Sequence, residues 1–162
     1  MKPTEISTSE YNSYYQNYID LVNNVSLPEA LEIGLRNTPK FFKGITEVKW
    51  NYRYAENKWT PKDILQHIID TERVFTYRAL YFSRADSANL KGFDENNKSI
   101  DVLLSEYIAV RNASIHLFKN FDDTQLKRTG IANDSIMSVA AAGFIICGHE
   151  IHHQNIINER YL

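Results

Sequence analysis

The chain has 162 residues, of which 43% are hydrophobic and 23% charged, a composition typical of a globular protein with a buried core. Its formal net charge of −2 gives no electrostatic reason to expect nucleic acid or an anionic membrane as a partner. The single cysteine, Cys147, excludes an internal disulfide and indicates a reducing compartment. The amino terminus lacks an apolar signal core, and the longest apolar run, VAAAGFIIC, is too short to span a bilayer. We therefore expect one cytoplasmic domain that covers residues 1–162.

Helical periodicity dominates the first part of the chain. In EYNSYYQNYIDLV, residues 10–22, tyrosines and then a leucine and a valine recur at three- and four-residue steps, which predicts a first long helix. A shorter, extra helix is predicted to follow Pro28 and to run towards Phe42. The second long helix begins in WTPKDILQH, where Thr60 is placed to cap it and Asp63 to complete a capping box.

The same periodicity continues to the end of the chain. No breaker interrupts the second long helix before Arg84, and the turn-rich segment ADSANLKGFDENNK then predicts a long connection. A third long helix is predicted over residues 99–121, followed by a loop, DDTQLKRTGIANDS, and an extended piece around Ile136. The last helix is predicted to run from near Ser138 to Tyr161. The pattern predicts an all-α protein, a four-helix bundle with one extra short helix.

The string HEIHH near the end of the chain fits the zinc-protease pattern His-Glu-x-x-His, but the surrounding sequence excludes a protease. Such enzymes take a third metal ligand from further along the chain, and only nine residues follow His153. Their one carboxylate, Glu159, lies about 80° off the ligand stripe. The unit Glu150-x-x-His153 also occurs in di-iron bundles, which need a second such unit and two more inward glutamates. The second long helix offers His67 and Glu72 but not in that spacing, so the di-iron alternative has only partial support.

A third metal ligand from the part of the chain before His149 fits the pattern better than one from the residues after His153. His67 lies in the middle of the second long helix, and the stripe of His149 and His153 on the last helix continues through apolar positions, so both faces are predicted to point inward. A single histidine on an apolar face is more often a hydrogen-bonded core residue, whereas a pair four residues apart is a stronger sign of a metal site. Three imidazoles from two helices would leave a metal with an open position. His116 and His152 are interpreted as spectators.

Three stretches carry a resemblance to a known family: KWTPKDILQHIIDTERVFTYRAL, GFDEN and the terminal GHEIHHQNIINERYL resemble the DinB-like family over nearly the whole chain. The resemblance implies an up-down-down-up four-helix bundle and a metal held by one histidine from the second helix and two from the last. Those positions here are His67, His149 and His153. Many members carry a glycine two positions after the final ligand, where this chain has Asn155.

The resemblance also implies a function class. Relatives include transferases of low-molecular-weight thiols such as bacillithiol, a mycothiol-dependent isomerase and proteins described as metal-dependent hydrolases. We expect a metal-dependent enzyme, a thiol S-transferase or a hydrolase acting on a small molecule, with an open position on a divalent transition metal: zinc first, nickel second, iron third. A low-molecular-weight thiol is the candidate cosubstrate. The alternative is a non-catalytic metal- or small-molecule-binding protein of the stress response.

Candidate catalytic residues are identified by their positions relative to the predicted metal ligands. Asp70 lies one turn along from His67, Arg78 shares the face of His67 and is a candidate for gripping a carboxylate or phosphate, and Glu150 is a candidate general base. Arg111 is interpreted as a structural ion pair with an aspartate. Cys147 is interpreted as a small buried hydrophobe and not as a nucleophile. Ten tyrosines and eight phenylalanines exceed what the core of such a bundle needs and predict a homodimer.

Overall fold

The computed structural model describes residues 1–84, 89 and 90, 99–132 and 134–162. The segment GFDEN of the predicted connection lies outside the described residues. None of the helices in the described part combines the length and the apolar character that crossing a lipid bilayer requires.

Helices make up most of the described chain. Four long ones form the bundle. One short helix precedes them, and two lie in the segments between them. The helices are α1 (Gln16–Asp20), α2 (Leu27–Lys43), α3 (Glu47–Trp50), α4 (Pro61–Arg84), α5 (Ile100–Lys119), α6 (Asp123–Lys127) and α7 (Val139–Arg160). Three single turns of 3-10 helix precede α1, at Pro3–Glu5, Thr8–Glu10 and Ser13–Tyr15.

Side-chain contacts give the relative directions of the four long helices. α2 runs parallel to α7, α4 runs parallel to α5, and the two pairs run in opposite directions. This is the up-down-down-up four-helix bundle that the resemblance implied. The contacts that fix these directions are Leu27–Gly143 and Thr38–Glu150 for α2 with α7, Glu72–Arg111 and Thr76–Ser114 for α4 with α5, and the clustering of Ile64 with Ile157 and of Phe82 with Val139 for α4 with α7.

The amino-terminal part differs from the prediction. Residues 10–22 do not form a long helix; they contain a 3-10 turn and the five-residue α1. The fourth bundle helix is instead α2, the predicted short extra helix, which has 17 residues. The reason is local: the Asn12 side chain accepts a hydrogen bond from the backbone N–H of Tyr14 and so starts a new turn inside the periodic stretch.

The predicted start of α4 is confirmed. The backbone N–H of Asp63 donates to Thr60 Oγ1 over 3.1 Å, and the backbone N–H of Thr60 donates to Asp63 Oδ2 over 2.8 Å. These reciprocal bonds are a capping box, and they satisfy two backbone donors that the first turn of a helix leaves without partners.

A small sheet accompanies the bundle. It contains β1 (Asn89–Leu90), β2 (Thr129–Ala132) and β3 (Ser135–Ser138), in the order β1-β2-β3. β2 and β3 are antiparallel, and β1 is parallel to β2. The extended piece predicted around Ile136 is therefore β3, whereas the predicted loop before it holds both α6 and β2. The strands are few and short, so the fold class remains all-α.

The bundle core has two apolar clusters with a polar layer at intermediate height. One cluster contains Phe75 and Phe82 of α4, and the other contains Ile64 and Ile69 from the beginning of the same helix. At the height of residue 72, between them along α4, several buried side chains are polar or charged. They include Thr38, Glu72, Arg111 and Glu150.

α1 packs directly on the backbone of α7. The carbonyl group of Tyr18 occupies the space where a β-carbon of residue 148 would lie, so only glycine fits at Gly148. This close approach brings the Tyr18 ring against His149, with ring centroids 5.5 Å apart.

We predict that Gly148→Ala destabilises the protein by about 2 kcal/mol. Alanine normally stabilises a helix interior by up to about 1 kcal/mol relative to glycine, but here the methyl group overlaps the Tyr18 backbone, which a side-chain rotation cannot relieve. Urea unfolding measures the effect. The control is Gly44→Ala, where the new β-carbon lies 3.3 Å from the nearest atom and little change is expected. A Gly148→Ala protein as stable as the wild type would contradict the packing.

Candidate metal centre

The three histidines predicted as ligands come together inside the bundle. His67 projects from α4, and His149 and His153 project from α7 one turn apart. The Nε2 atom of His149 lies 3.0 Å from Nε2 of His67 and 3.1 Å from Nε2 of His153. Among the described residues, this is the one group of three or more metal-binding side chains whose ligand atoms all lie within 4.8 Å of one another.

The donor set fits a divalent transition metal. A ring nitrogen carries either one proton or one lone pair, so Nε2 of His149 can make only one good hydrogen bond, although two other Nε2 atoms contact it. A metal ion would accept the lone pairs of all three. Ligand nitrogens at about 2.0–2.1 Å from a tetrahedral ion lie roughly 3.3 Å apart, close to the separations in this cluster.

Burial keeps the imidazoles of α7 neutral. Desolvation, with smaller contributions from His153 and His67, holds the pKa of His149 well below its ordinary value of 6.5. Desolvation is also the main reason why the pKa of His153 falls to about 3. Because a metal binds the unprotonated ring, no proton competes for these two nitrogens at neutral pH.

Aromatic rings border the cluster on two sides. Trp59 lies over His67 with ring centroids 4.6 Å apart, and its backbone carbonyl accepts a hydrogen bond from the Tyr161 hydroxyl. On the other side, the edge of Tyr18 meets His149. The Nδ1 atom of His153 is buried and finds no hydrogen-bond partner in the described part of the chain.

Arg78 lies on the same face of α4 as His67, as the sequence predicted, and it is only 5% exposed. Its guanidinium lies near Tyr15, which affects its pKa, and 5.1 Å from the centre of the Phe75 ring. Burial lowers the pKa of Arg78 from its ordinary value. The Tyr15 ring in turn lies 6.3 Å from that of Tyr18, so tyrosines of the amino-terminal segment connect the histidine cluster with Arg78.

The structure does not bring Asp70 to the cluster. Its two carboxylate oxygens accept hydrogen bonds from Gln66 Nε2 over 2.7 Å and from Arg73 Nη1 over 3.1 Å. Arg73 also bonds to Glu106 of α5. These contacts connect α4 with α5. The Asp70 carboxylate therefore does not bond to the histidine ring nitrogens.

Glu150 belongs to a buried ion-pair network. Arg111 donates to both carboxylate oxygens of Glu72 and to both of Glu150, over 2.8 to 3.1 Å, and also to the backbone carbonyl of Leu31. The Tyr107 hydroxyl donates to Glu150 over 2.8 Å. Burial alone would lower the pKa of Arg111, but Glu150 and Glu72 raise it well above its ordinary value. Glu150 therefore faces away from the imidazoles, and the Glu150-x-x-His153 unit of a di-iron site is not built.

Sequence reasoning anticipated a structural role for Arg111 but assigned it an aspartate, and it missed both glutamates. The sequence did indicate that Glu72 is buried, because this residue lies four positions after Ile68 and three before Phe75. The helical repeat places it on the buried face between them. A carboxylate on such a face needs a buried cation, and Arg111 supplies it.

The other three residues discussed above are not part of the histidine cluster: Cys147, His116 and His152. Cys147 is buried, and desolvation raises the pKa of its thiol, so the sulfur is protonated and unreactive at neutral pH. His116 is exposed on α5. His152 is half-buried beside Tyr18, with ring centroids 5.2 Å apart, and does not join the three converging rings.

We predict that the metal-free protein loses stability steeply on acidification below pH 6.5. An unfolded histidine binds a proton with a pKa near 6.5, whereas the pKa values of folded His149 and His153 are lower, so the unfolded state binds more protons in this range. The free energy of unfolding should therefore fall by about 1.4 kcal/mol per pH unit for each histidine. Urea unfolding in a chelator between pH 7 and pH 5 measures this slope.

The matched controls are the double variant His149→Ala/His153→Ala and the exposed-site variant His116→Ala. The double variant should show a clearly shallower slope, and His116→Ala should keep the wild-type slope. Equal slopes in the wild type and the double variant would show that these imidazoles are not held neutral by burial.

Comparison with known proteins agrees with the fold. The sequence model of the DinB superfamily matches residues 30–157, a span that contains all three histidines. Among solved structures, YfiT from Bacillus subtilis, described as a probable metal-dependent hydrolase with an unusual four-helix bundle topology, superposes with a TM-score of 0.73 at 17% identity, covering 82% of each chain.

A DinB-like protein, YjoA from Bacillus subtilis, superposes with a TM-score of 0.61 at 15% identity, covering 82% of this chain and 87% of that one. No curated protein matches the sequence. At these identities the two structures show a shared fold alone, but the family match spans most of the sequence. The chain therefore belongs to the DinB superfamily.

Proposed function

We propose that this protein is a metal-dependent enzyme acting on a small molecule, with a divalent transition ion held by His67, His149 and His153. The observation that carries the proposal is the convergence of three Nε2 atoms from two helices, with the pKa values of His149 and His153 lowered by burial. Three protein ligands are typical of catalytic sites, whereas structural zinc sites use four. The description of YfiT as a probable metal-dependent hydrolase supports the proposal.

The donor atoms favour particular metals. Imidazole nitrogens suit zinc, nickel and ferrous iron, whereas magnesium and calcium prefer oxygen ligands. We propose zinc first and nickel second, with the metal in the cell decided by supply. The bound ion would supply Lewis acidity at its open position, which activates a water or a thiol at neutral pH.

The chain's own residues would bind and orient the substrate. Arg78 and Tyr15 offer N–H and O–H donors in a buried setting, which suits a carboxylate or phosphate group of the substrate. Tyr18 and Trp59 flank the imidazoles with aromatic surface and keep bulk water from two sides of the cluster. We assign no proton-transfer role to Asp70 or Glu150, because the hydrogen bonds of both carboxylates go to other groups.

The proposed reaction is the transfer of a low-molecular-weight thiol to an electrophile. The thiol loses its proton, its sulfur forms a bond to carbon, and the leaving group departs with the bonding electrons. The sulfur must come from the cosubstrate, because the one cysteine is buried and its thiol is protonated. Hydrolysis is the second candidate, favoured by the description of YfiT.

We further propose a cytoplasmic homodimer. Tyr77 and Tyr81 on α4 are 53% and 42% exposed and lie with Leu80 and Arg84 on one surface patch. Aromatic and arginine side chains are enriched in interfaces of this kind. Light scattering that gives a monomer at high concentration would contradict the dimer.

We predict that the wild type binds one equivalent of Ni²⁺ and that the ion quenches the fluorescence of Trp59, which lies over His67. Alanine in place of His67, His149 or His153 removes one of three ligands and should weaken binding by more than about 100-fold. The matched controls His116→Ala and His152→Ala should leave binding unchanged. A double variant His149→Ala/His153→Ala that still purifies with stoichiometric metal would refute the site.

The catalytic proposal has its own test. Zinc-loaded protein, mixed with bacillithiol or another small thiol and an electrophile, should consume the thiol faster than chelated protein. Arg78→Gln should raise KM for anionic substrates more than it lowers kcat, because the lost contact binds the substrate away from the reacting atoms. The control is Arg36→Gln on the exposed side of α2. Stoichiometric metal without thiol consumption or hydrolysis would favour the non-catalytic binding protein.

A further inference from the structure

A second cavity lies on the other side of α7 from the three histidines. It has a volume of about 230 Å³ and is enclosed by residues 21–25, α2 and α7. Glu150 and Gln154 line it and contact Thr38 of α2, whereas His149 and His153, each one residue earlier, contact α4. The cavity is therefore separate from the proposed metal centre.

Glu150, which lines the cavity, belongs to an ion-pair network with an excess of negative charge. Glu72, Arg111 and Glu150 are at most 2% exposed, and they hold two formal negative charges and one positive charge. The donors that contact the two carboxylates in the described residues are Arg111, the hydroxyl of Tyr107 and the hydroxyl of Thr38. The hydroxyls are neutral. One formal negative charge thus stays buried without a cation, which is costly in a low-dielectric interior.

One carboxylate oxygen of Glu150 has room for another donor. Among the residues that the structure describes, Oε2 accepts hydrogen bonds from Tyr107, Thr38 and Arg111, whereas Oε1 accepts one, from Arg111 Nη1 over 3.1 Å. A carboxylate oxygen has two lone pairs. Gly34, which also lines the cavity, lies beside Oε1, and a β-carbon at this position would overlap both that oxygen and Arg111 Nη1. The missing side chain leaves Oε1 next to the cavity.

We propose that this cavity binds a small organic cation. The ammonium N–H donates to Glu150 Oε1 and neutralises the excess charge, and a short apolar body packs against Leu21, Val25 and Ile33, which line the same space. The volume is below that of a drug-sized pocket, about 300–1,000 Å³, so the ligand has only a few heavy atoms. This site goes beyond the proposed enzyme function and does not depend on it.

The experiment uses zinc-loaded full-length protein and three probes of equal length: n-butylammonium, 1-butanol and butyrate. Nitrogen–proton correlation spectra follow the side-chain amides of Asn37 and Gln154, which line the cavity. We expect saturable shifts of these amides with butylammonium, at least tenfold weaker binding of butanol because the charge-assisted hydrogen bond is lost, and no binding of butyrate.

Variants of the cavity-lining residues test whether butylammonium binds in the cavity. Ile33→Trp fills the space and should abolish the butylammonium shifts, while Val102→Trp, at a 52% exposed position on α5, should preserve them. Glu150→Gln keeps the shape of the side chain and should bring the affinities for butylammonium and butanol together. If Ile33→Trp does not fold, Val25→Trp fills the same cavity from the other wall.

Three outcomes would overturn the proposal. They are shifts that persist in the filled variant, butanol that binds the wild type as tightly as butylammonium, and the absence of saturable shifts in the wild type. Because the shifts are followed at Asn37 and Gln154, binding of the amine to the zinc ion is distinguished from binding in the cavity.

Discussion

The buried guanidinium of Arg111 is the interaction on which the rest of the bundle depends. From α5 it reaches Glu72 on α4, Glu150 on α7 and the backbone carbonyl of Leu31 on α2, so one side chain contacts the other three long helices. Breaking a buried ion pair by removing one partner costs about 3–5 kcal/mol, whereas replacing the whole group by apolar residues is often neutral. Its distinctive contribution is therefore to fix how each helix is rotated about its axis.

That rotation places the metal ligands. Successive residues of a helix are about 100° apart, so anchoring Glu150 towards Arg111 turns its neighbour His149 towards α4. His67 is five residues before Glu72 and is turned by the same anchor on α4. One arrangement of the helices therefore produces both the ion-pair network and the histidine cluster. The carboxylates are held inward by a cation, and the three imidazoles face one another.

Much of this could be predicted from the sequence, and the failures have physical causes. The histidine pair on α7 was visible because its four-residue spacing lies on an apolar stripe, and the capping box of α4 was visible because it is local. The prediction of a long amino-terminal helix was wrong because side-chain capping at Asn12 overrides the periodicity of the tyrosines. The partners of Glu150 could not be predicted, since they lie 39, 43 and 112 residues away along the chain and only the packed bundle brings them together.

The polar layer has a consequence for how the protein is made. The hydrogen bond between Thr38 and Glu150 joins residues 112 positions apart, and that between Leu31 and Arg111 spans 80. During synthesis, Glu72 and Arg111 emerge from the ribosome well before Glu150. Until the last helix follows, this pair sits in an unfinished three-helix assembly whose apolar faces are still open. The apolar faces of the first three long helices are therefore covered only after α7 has been made and has packed against them.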